Sequence, residues 1–408
     1  MKILIVNFSD SAGGASIAAN RLHDCLIKNN VDSKFLVLDK KTNNPNIFAV
    51  NLFLSKLIVF FGRFENRLIR VFYSKKTTSR FSSSILSIRK INRIIDDYNP
   101  DIVHLHWVQL GMLGIKEISK IKKPIVWSLH DVWGFTGGCH YNESCINFYD
   151  SCGNCKVLGS NKSSDLSQFV FNSKMKAYTK HGNITFVGLS KWITSLAMKS
   201  PLTFNGVVNL PNPIDTNVYR QIPKNNNSFL LKINSKNNNI LIGAMSLKIK
   251  RKGFNEFIDA LGFVSNDFDL VTFGNSNTSS LKIKQKTVNL GFISSINQMI
   301  MIYNAVGVTV VPSLEENLSN VIMESLACGT PVVAFNIGGN SDLITHKVNG
   351  YLAIPSDVKD LAQGIDWVLN NKEELNLSQN CINKVRKEFD YSIVAKKYTN
   401  LYKKILNQ

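Results

Sequence analysis

The stretch VVPSLEENLSNVIMESLACGTPVVAFNIGGNSDLI, residues 310–344, decides the fold. It reads strand, loop, helix, strand. An apolar run ends at Val311-Pro312-Ser313, a loop carries Glu315 and Glu316, a helix starts near Ser319-Asn320, and Cys328-Gly329 stops it before PVVAF. A helix N-terminus at the carboxyl end of a strand offers unpaired N–H groups and a positive dipole end, which suits phosphate. Two carboxylates eight residues apart, Glu316 before the helix and Glu324 inside it, can reach two parts of one ligand. The bland alternatives are a first-turn acid at Glu324 that only stabilises the dipole, and a solvated loop acid at Glu316.

Outward from this segment the same rhythm recurs: short apolar runs alternate with amphipathic stretches, the pattern of βα units on a parallel sheet. Strands are predicted at 2–7, 34–38, 101–105, 124–129, 184–188 and 206–210, with a helix at 15–28 after Gly13-Gly14. A polar Asn/Lys-rich stretch at 222–239 reads as a linker, and new strands follow at 240–244, 269–273, 286–290, 307–311 and 331–335. The expectation is an α/β protein of two facing Rossmann-like domains with a deep interdomain cleft. The first domain covers 1–221 with a cysteine-rich insert at 139–155, and the second covers 240–390. A C-terminal helix at 391–408 packs back toward the first.

The 310–344 segment resembles the signature of glycosyltransferase family 4, E-x7-E followed by G-x-P-V-V and a Gly-Gly turn, in the GT-B fold. Glu316 and Glu324 stand at the two Glu positions, Gly329–Val333 fits the next motif, and Gly338-Gly339 fits the turn. IGAMSLKIKRKGFNEFIDAL resembles the family's phosphate-binding segment, with Lys252-Gly253 in place. NPDIVHLHW, IVWSLHD and LPNPIDTNVYR follow in the family's order. The chain departs from the usual pattern twice: Asn317-Leu318-Ser319 replaces Gly-Phe-Gly after the first Glu, and Ala244 stands where many relatives have Arg.

The resemblance implies a retaining, metal-independent transfer of a sugar from a nucleotide-diphosphate-sugar to a glycan or lipid-linked acceptor, in surface polysaccharide biosynthesis. It places His130, Glu316 and Lys252 at the chemistry. Donor contacts fall to Arg251, Lys252, Glu316, Asn317, Leu318, Ser319, Asn320 and Glu324, with Arg251 the nearest substitute for the missing Arg. Gly13-Gly14 would approach acceptor or diphosphate. Breaking a glycosyl–phosphate bond develops negative charge on the leaving diphosphate, which Lys252 and the helix N–H groups suit. No D-x-D stands where a Mg²⁺-diphosphate would demand it.

The 408 residues carry 48 Lys plus Arg against 29 Asp plus Glu, a net +19. Residues 1–220 hold net +14 of it, so an anionic partner is expected on the first domain. Residues 52–72 form an amphipathic run with Arg63, Arg67 and Arg70 at helical spacing. It reads either as an interfacial helix on anionic lipid, within a basic region 52–80, or as a solvated surface helix. Nucleic acid is not expected, since no recognition module accompanies the charge. A GT-B-like epimerase or phosphorylase and a binding-only relative are the remaining alternatives. Cys139, Cys145, Cys152 and Cys155 read as a structural zinc knuckle, with His140 able to replace one ligand, or as reduced thiols, or as disulfides if the chain is exported. His104, His106 and His130 read as hydrogen-bonded strand-end histidines or a metal site. The N-terminus reads as a buried first strand rather than a secretory signal. The expected location is therefore the cytoplasm, with peripheral contact on the inner face of the membrane.

Overall fold

Strands that bury both faces must be apolar on both, and the runs ILIV, IVHL, IVWSL and VTVV meet that demand. The computed structural model describes residues 1–87, 90–223, 239–246, 249–275 and 286–407. They divide into one unit of Met1–Asn212 with Val394–Gln408 and another of Pro213–Ile393.

The first unit runs β1 (Lys2–Ser9), α1 (Gly14–Lys28), β2 (Asp32–Asp39), β3 (Ile47–Ala49), α2 (Leu52–Phe72), α3 (Lys90–Tyr98), β4 (Ile102–Leu105), α4 (Ile115–Ile118), β5 (Ile125–Leu129), α5 (Leu166–His181), β6 (Ile184–Gly188), α6 (Lys191–Ala197) and β7 (Val207–Asn209). Its sheet has the order β3-β2-β1-β4-β5-β6-β7 and is parallel throughout. The strand order reverses between β1 and β4, and ligands of such sheets bind outside the carboxyl ends at that reversal.

The second unit runs β8 (Asn239–Ser246), α7 (Phe254–Leu261), β9 (Asp269–Asn275), β10 (Thr287–Asn289), α8 (Ile296–Ala305), β11 (Val308–Val311), α9 (Asn320–Ala327), β12 (Val332–Phe335), α10 (Asn340–Leu343), β13 (Gly350–Ala353), α11 (Val358–Asn371) and α12 (Leu377–Glu388). Its parallel sheet has the order β10-β9-β8-β11-β12-β13, with the reversal between β8 and β11. The last helix, α13 (Tyr391–Leu406), belongs to the first unit from Val394 onward.

The expected end of the first domain at residue 221 moves to Asn212. Pro213–Arg220 goes with the second unit, where Ile214 N–H donates to Phe389 C=O (2.9 Å) and Asn304 Nδ2 donates to Arg220 C=O (3.1 Å). Of the linker expected at 222–239, residues 224–238 lie outside the described residues. Strands β3 and β13 lie outside the strands predicted from the sequence.

Helix α2 shows how one face is chosen for burial. Gly62 meets the backbone of Leu110, where a Cβ would sit 2.4 Å away. Glu65 accepts from Ser83 Oγ (2.6 Å) and Ile85 N–H (2.8 Å) on the loop beside it. Leu54, Ile58 and Ile69 complete the buried side. Its other side leaves Phe53 76% and Phe72 78% exposed, with Phe60, Phe61, Phe64 and Leu68 exposed between them. No helix among the described residues is long and apolar enough to cross a membrane.

Candidate functional site

In the second unit, two glycines bring separate loops onto one. After β8 the chain passes through a short 3-10 turn, Lys250–Lys252, to Gly253 at φ +66°. A Cβ there would lie 1.7 Å from the Pro312 carbonyl oxygen, so this turn presses on the loop after β11. Leu314 N–H donates to Arg251 C=O (2.8 Å) across the same contact. From the other side Gly338, at φ +52°, sits where a Cβ would be 1.7 Å from Glu316 O, and Gly339 N–H donates to that oxygen (3.3 Å). At both positions a side chain would clash and strain the backbone.

The clamped loop sets Lys252 Nζ 2.6 Å from Glu316 Oε2, with Ser313 Oγ donating to the same oxygen at 3.4 Å. Burial by itself would raise the Glu316 carboxyl. The Lys252 ammonium, then Arg251 and the Ser313 hydroxyl, overcome that and hold it below its ordinary value. Glu316 is therefore a charged, paired group rather than a solvated loop acid. Ser319 caps α9 by accepting from Ile322 N–H (3.4 Å), and the first turn of α9 holds no acid. Glu324 lies one turn further in, is buried, and accepts from the Tyr303 hydroxyl (2.9 Å). A dipole role in the first turn is thereby excluded. The Leu318 side chain is buried. Asn317 and Asn320 stay partly exposed. The side chain of Ala244 lies outside the described residues.

In the first unit, β4 and β5 deliver three histidines to the carboxyl end of the sheet. The His104 and His106 rings lie 4.5 Å apart, and those of His106 and His130 lie 5.1 Å apart. His104 engages Tyr402 Oη through Nδ1 (2.6 Å) and Ser128 Oγ through Nε2 (2.9 Å). His106 Nδ1 pairs with His130 Nε2 at 2.8 Å. Burial pushes His104 down to about 3 and His130 to about 4, with Asp131 opposing the latter, and drives His106 well below 6.5. The three are neutral near pH 7 and hydrogen-bonded, and no group of three His, Cys, Asp or Glu among the described residues is arranged to hold a metal ion.

Beside them Asn7, on β1, accepts from Trp107 N–H (2.8 Å) and donates to Ser16 Oγ (3.0 Å) in α1. Gly13, at φ +91°, precedes α1, which has no side-chain cap and no acid in its first turn. Open space surrounds the missing Cβ, so it is the backbone conformation that calls for glycine at Gly13.

The cysteine-rich insert packs against this region. Cys139 Sγ lies 3.4 Å from Thr136 Oγ1, and Cys152 Sγ accepts from Gly137 N–H at 3.2 Å. Burial raises the Cys139, Cys152 and Cys155 thiols, each with smaller contributions from other cysteines of the insert. A zinc ion suits four such donors chemically. Among the described residues no group of three or more His, Cys, Asp or Glu is arranged to hold a metal ion, so no step below is routed through zinc.

Residues 227–388 match the family model of glycosyl transferases group 1, and residues 63–152 match that of glycosyl transferase 4-like domains. The chain is a GT-B, family 4-like glycosyltransferase. An uncharacterized glycosyltransferase of Methanocaldococcus jannaschii is 24% identical over 328 residues, 76% of each chain. The N,N'-diacetylbacillosaminyl-diphospho-undecaprenol alpha-1,3-N-acetylgalactosaminyltransferase of Campylobacter jejuni is 23% identical over 159 residues, 38% of this chain and 42% of that one. Among solved structures, Anabaena HepE in complex with UDP superposes with a TM-score of 0.66 at 16% identity, covering 99% of this chain and 100% of that one.

In this glycosyltransferase the structure brings Arg251, Lys252, Glu316 and Gly338 together, and separately His130 with His104 and His106. Sequence patterns give no role to Asn7, Trp107, Asp131 or Tyr402, and mark His140 only as a possible zinc ligand. Asp131 had a signal, its place beside His130 at a strand end. Tyr402 had none, because its partner His104 is 298 residues away.

Proposed function

We propose that this glycosyltransferase is a retaining, metal-independent enzyme. It moves a sugar from a nucleotide-diphosphate-sugar to a lipid-linked or oligosaccharide acceptor during surface polysaccharide assembly on the cytoplasmic side of a membrane. The observation that carries the reading is the Lys252–Glu316 pair, held at the carboxyl ends of β8 and β11 just before α9. An incoming diphosphate competes for the Lys252 ammonium and meets the first-turn N–H groups of α9, which stabilise the charge that develops as the leaving group departs. Lys252 and Arg251 thus supply the positive charge for which other transferases use a metal. The resemblance assigns Glu316 to the donor sugar and Glu324 to the ribose, and supports retention.

A screen of UDP-, GDP- and dTDP-sugars for thermal stabilisation identifies the donor, since a ligand of the folded state raises Tm by mass action. With that donor and lipid-diphosphate acceptors, Lys252→Ala and Glu316→Ala are expected to abolish transfer while leaving the protein folded. Near-wild-type turnover in both would sink the reading.

The exposed side of α2 is the proposed contact with an anionic lipid surface. Aromatic and aliphatic side chains lie beside exposed Arg63, Arg67 and Arg70, and this pairing of apolar and cationic groups matches an interface of acyl chains and phosphates. At roughly 1 kcal/mol per cation near such a surface, replacing all three by Gln should weaken binding to phosphatidylglycerol-containing vesicles by about 100-fold. Unchanged vesicle sedimentation would return α2 to an ordinary surface helix.

A further inference from the structure

The segment GGCHY carries His140 back beneath the strand ends. Its main chain is paired on both sides: His140 N–H donates to Arg80 C=O (3.1 Å), and Val132 N–H donates to His140 C=O (3.3 Å). Its ring, in a residue 1% exposed, lies between two partners. Nδ1 is 2.7 Å from Asp131 Oδ2, and Nε2 is 3.0 Å from Ser82 Oγ. An ionised carboxylate only accepts, so Nδ1 carries the proton and Nε2 of the neutral ring accepts from the Ser82 hydroxyl.

Asp131 is held from two further directions. Trp107 Nε1 donates to Oδ2 (3.1 Å) and Trp133 N–H donates to Oδ1 (2.9 Å). Serine, histidine and aspartate in this order have the connectivity of an acyl-transfer triad. Burial decides against that chemistry, because Ser82 is 4% exposed and its flanking Phe81 is buried too. What the connectivity accomplishes is orientation. Removing the His140 donor leaves one buried oxygen of Asp131 with a single indole donor, and the turn after β5 loses an anchor.

The insert is built to bring this ring in. Phe81 and Cys139 form an antiparallel bridge. Gly138, at φ +123°, lies where a Cβ would be 2.7 Å from the Phe81 ring, and at Gly137 a Cβ would be 2.2 Å from Ser167 O. Only glycines let the chain pass close enough for His140 to reach Asp131.

We propose that His140 is a positioning residue for the transfer reaction: it fixes the Asp131 carboxylate, and through it Trp107 and the strand-end turn that sets His130. This rests on the reading above, in which His130 stands at the reacting groups. The cysteine-rich insert is then part of the site's scaffold.

The test uses full-length protein and the nucleotide-sugar found by the thermal screen. His140→Phe is expected to lower kcat about 10- to 100-fold, the size of effect a small misplacement of reacting groups produces. KM for the nucleotide-sugar should stay within about twofold, because the donor groups are untouched. His140→Asn, whose amide nitrogen can stand near the Nδ1 position and donate to Asp131, should recover most of the lost kcat. A Phe variant with wild-type kcat, or an Asn variant as impaired as Phe, overturns the proposal. Should the Phe variant not fold, proton NMR of the wild-type protein decides. A low-field imidazole N–H resonance of His140 that disappears in Asp131→Asn supports the bond, and its absence from the wild type overturns it. Near-wild-type turnover in Lys252→Ala and Glu316→Ala would instead overturn the donor-site reading, so the two failures are distinguishable.

Discussion

At the carboxyl end of the first sheet three imidazoles are kept neutral and tied to hydroxyls and to one another, whereas the second sheet holds an ammonium and a carboxylate 2.6 Å apart at partial exposure. The difference follows from what each arrangement costs to bury. A neutral ring whose nitrogens find partners costs little and gives a cluster of defined shape. A charge is costly unless it is paired, and a pair left partly open can exchange one partner for another. The first unit therefore holds a buried, neutral cluster, and the second a partly open ion pair.

The largest effect expected from this contrast lies in the second unit. Lys252→Met should reduce kcat by about 10²- to 10³-fold, the range seen when one preorganised charge-stabilising donor is lost, with little change in Tm. A comparable loss of Tm would mean that the pair serves stability instead.

In the first unit the balance should invert. Tyr402→Phe removes the partner of His104 Nδ1 in a buried setting and should cost about 1–3 kcal/mol of stability, with a smaller effect on turnover than Lys252→Met. Urea unfolding measures the first quantity and initial rates the second. An unchanged unfolding midpoint would show that the imidazole ladder does not need α13.

The contrast also predicts a dependence on pH. His104 and His130 have folded values near 3 and 4, below the ordinary 6.5, so the unfolded chain binds protons first as pH falls. Their contribution to stability is complete above pH 6.5 and is lost as pH falls through the folded values. The Glu316 carboxyl, also lowered, keeps its contribution until pH falls below its ordinary 4.5. Mild acid between those limits should weaken the first unit before the second. Four of the five tryptophans, Trp107, Trp127, Trp133 and Trp192, belong to the first unit, so fluorescence-detected melting reports mainly on it. A Tm that does not move between pH 7 and pH 5 would break the comparison.

Most strands and the donor-side loop were legible because their signals are local. An unbroken apolar run and a Gly or Pro stop lie within a dozen residues, and the 316–324 spacing falls within one loop and helix. The Lys252–Glu316 pair was half legible. Each residue was picked out by resemblance, but nothing in the spacing of 64 residues says that their side chains touch. The His104–Tyr402 bond and the place of His140 against Asp131 were not legible. One joins residues far apart in the chain, and the other lies in an insert whose cysteines drew attention to metal instead.

Two parallel sheets with strand-end loops follow from the order of apolar runs and glycines alone, since backbone hydrogen bonding and side-chain alternation act over a few residues. Which charges pair, which histidines are neutral, and which face of α2 is left uncovered were decided only by folding. Burial and partner choice belong to the packed chain, where Gly62, Gly253 and Gly338 allow backbones to approach and close distances that sequence spacing leaves open.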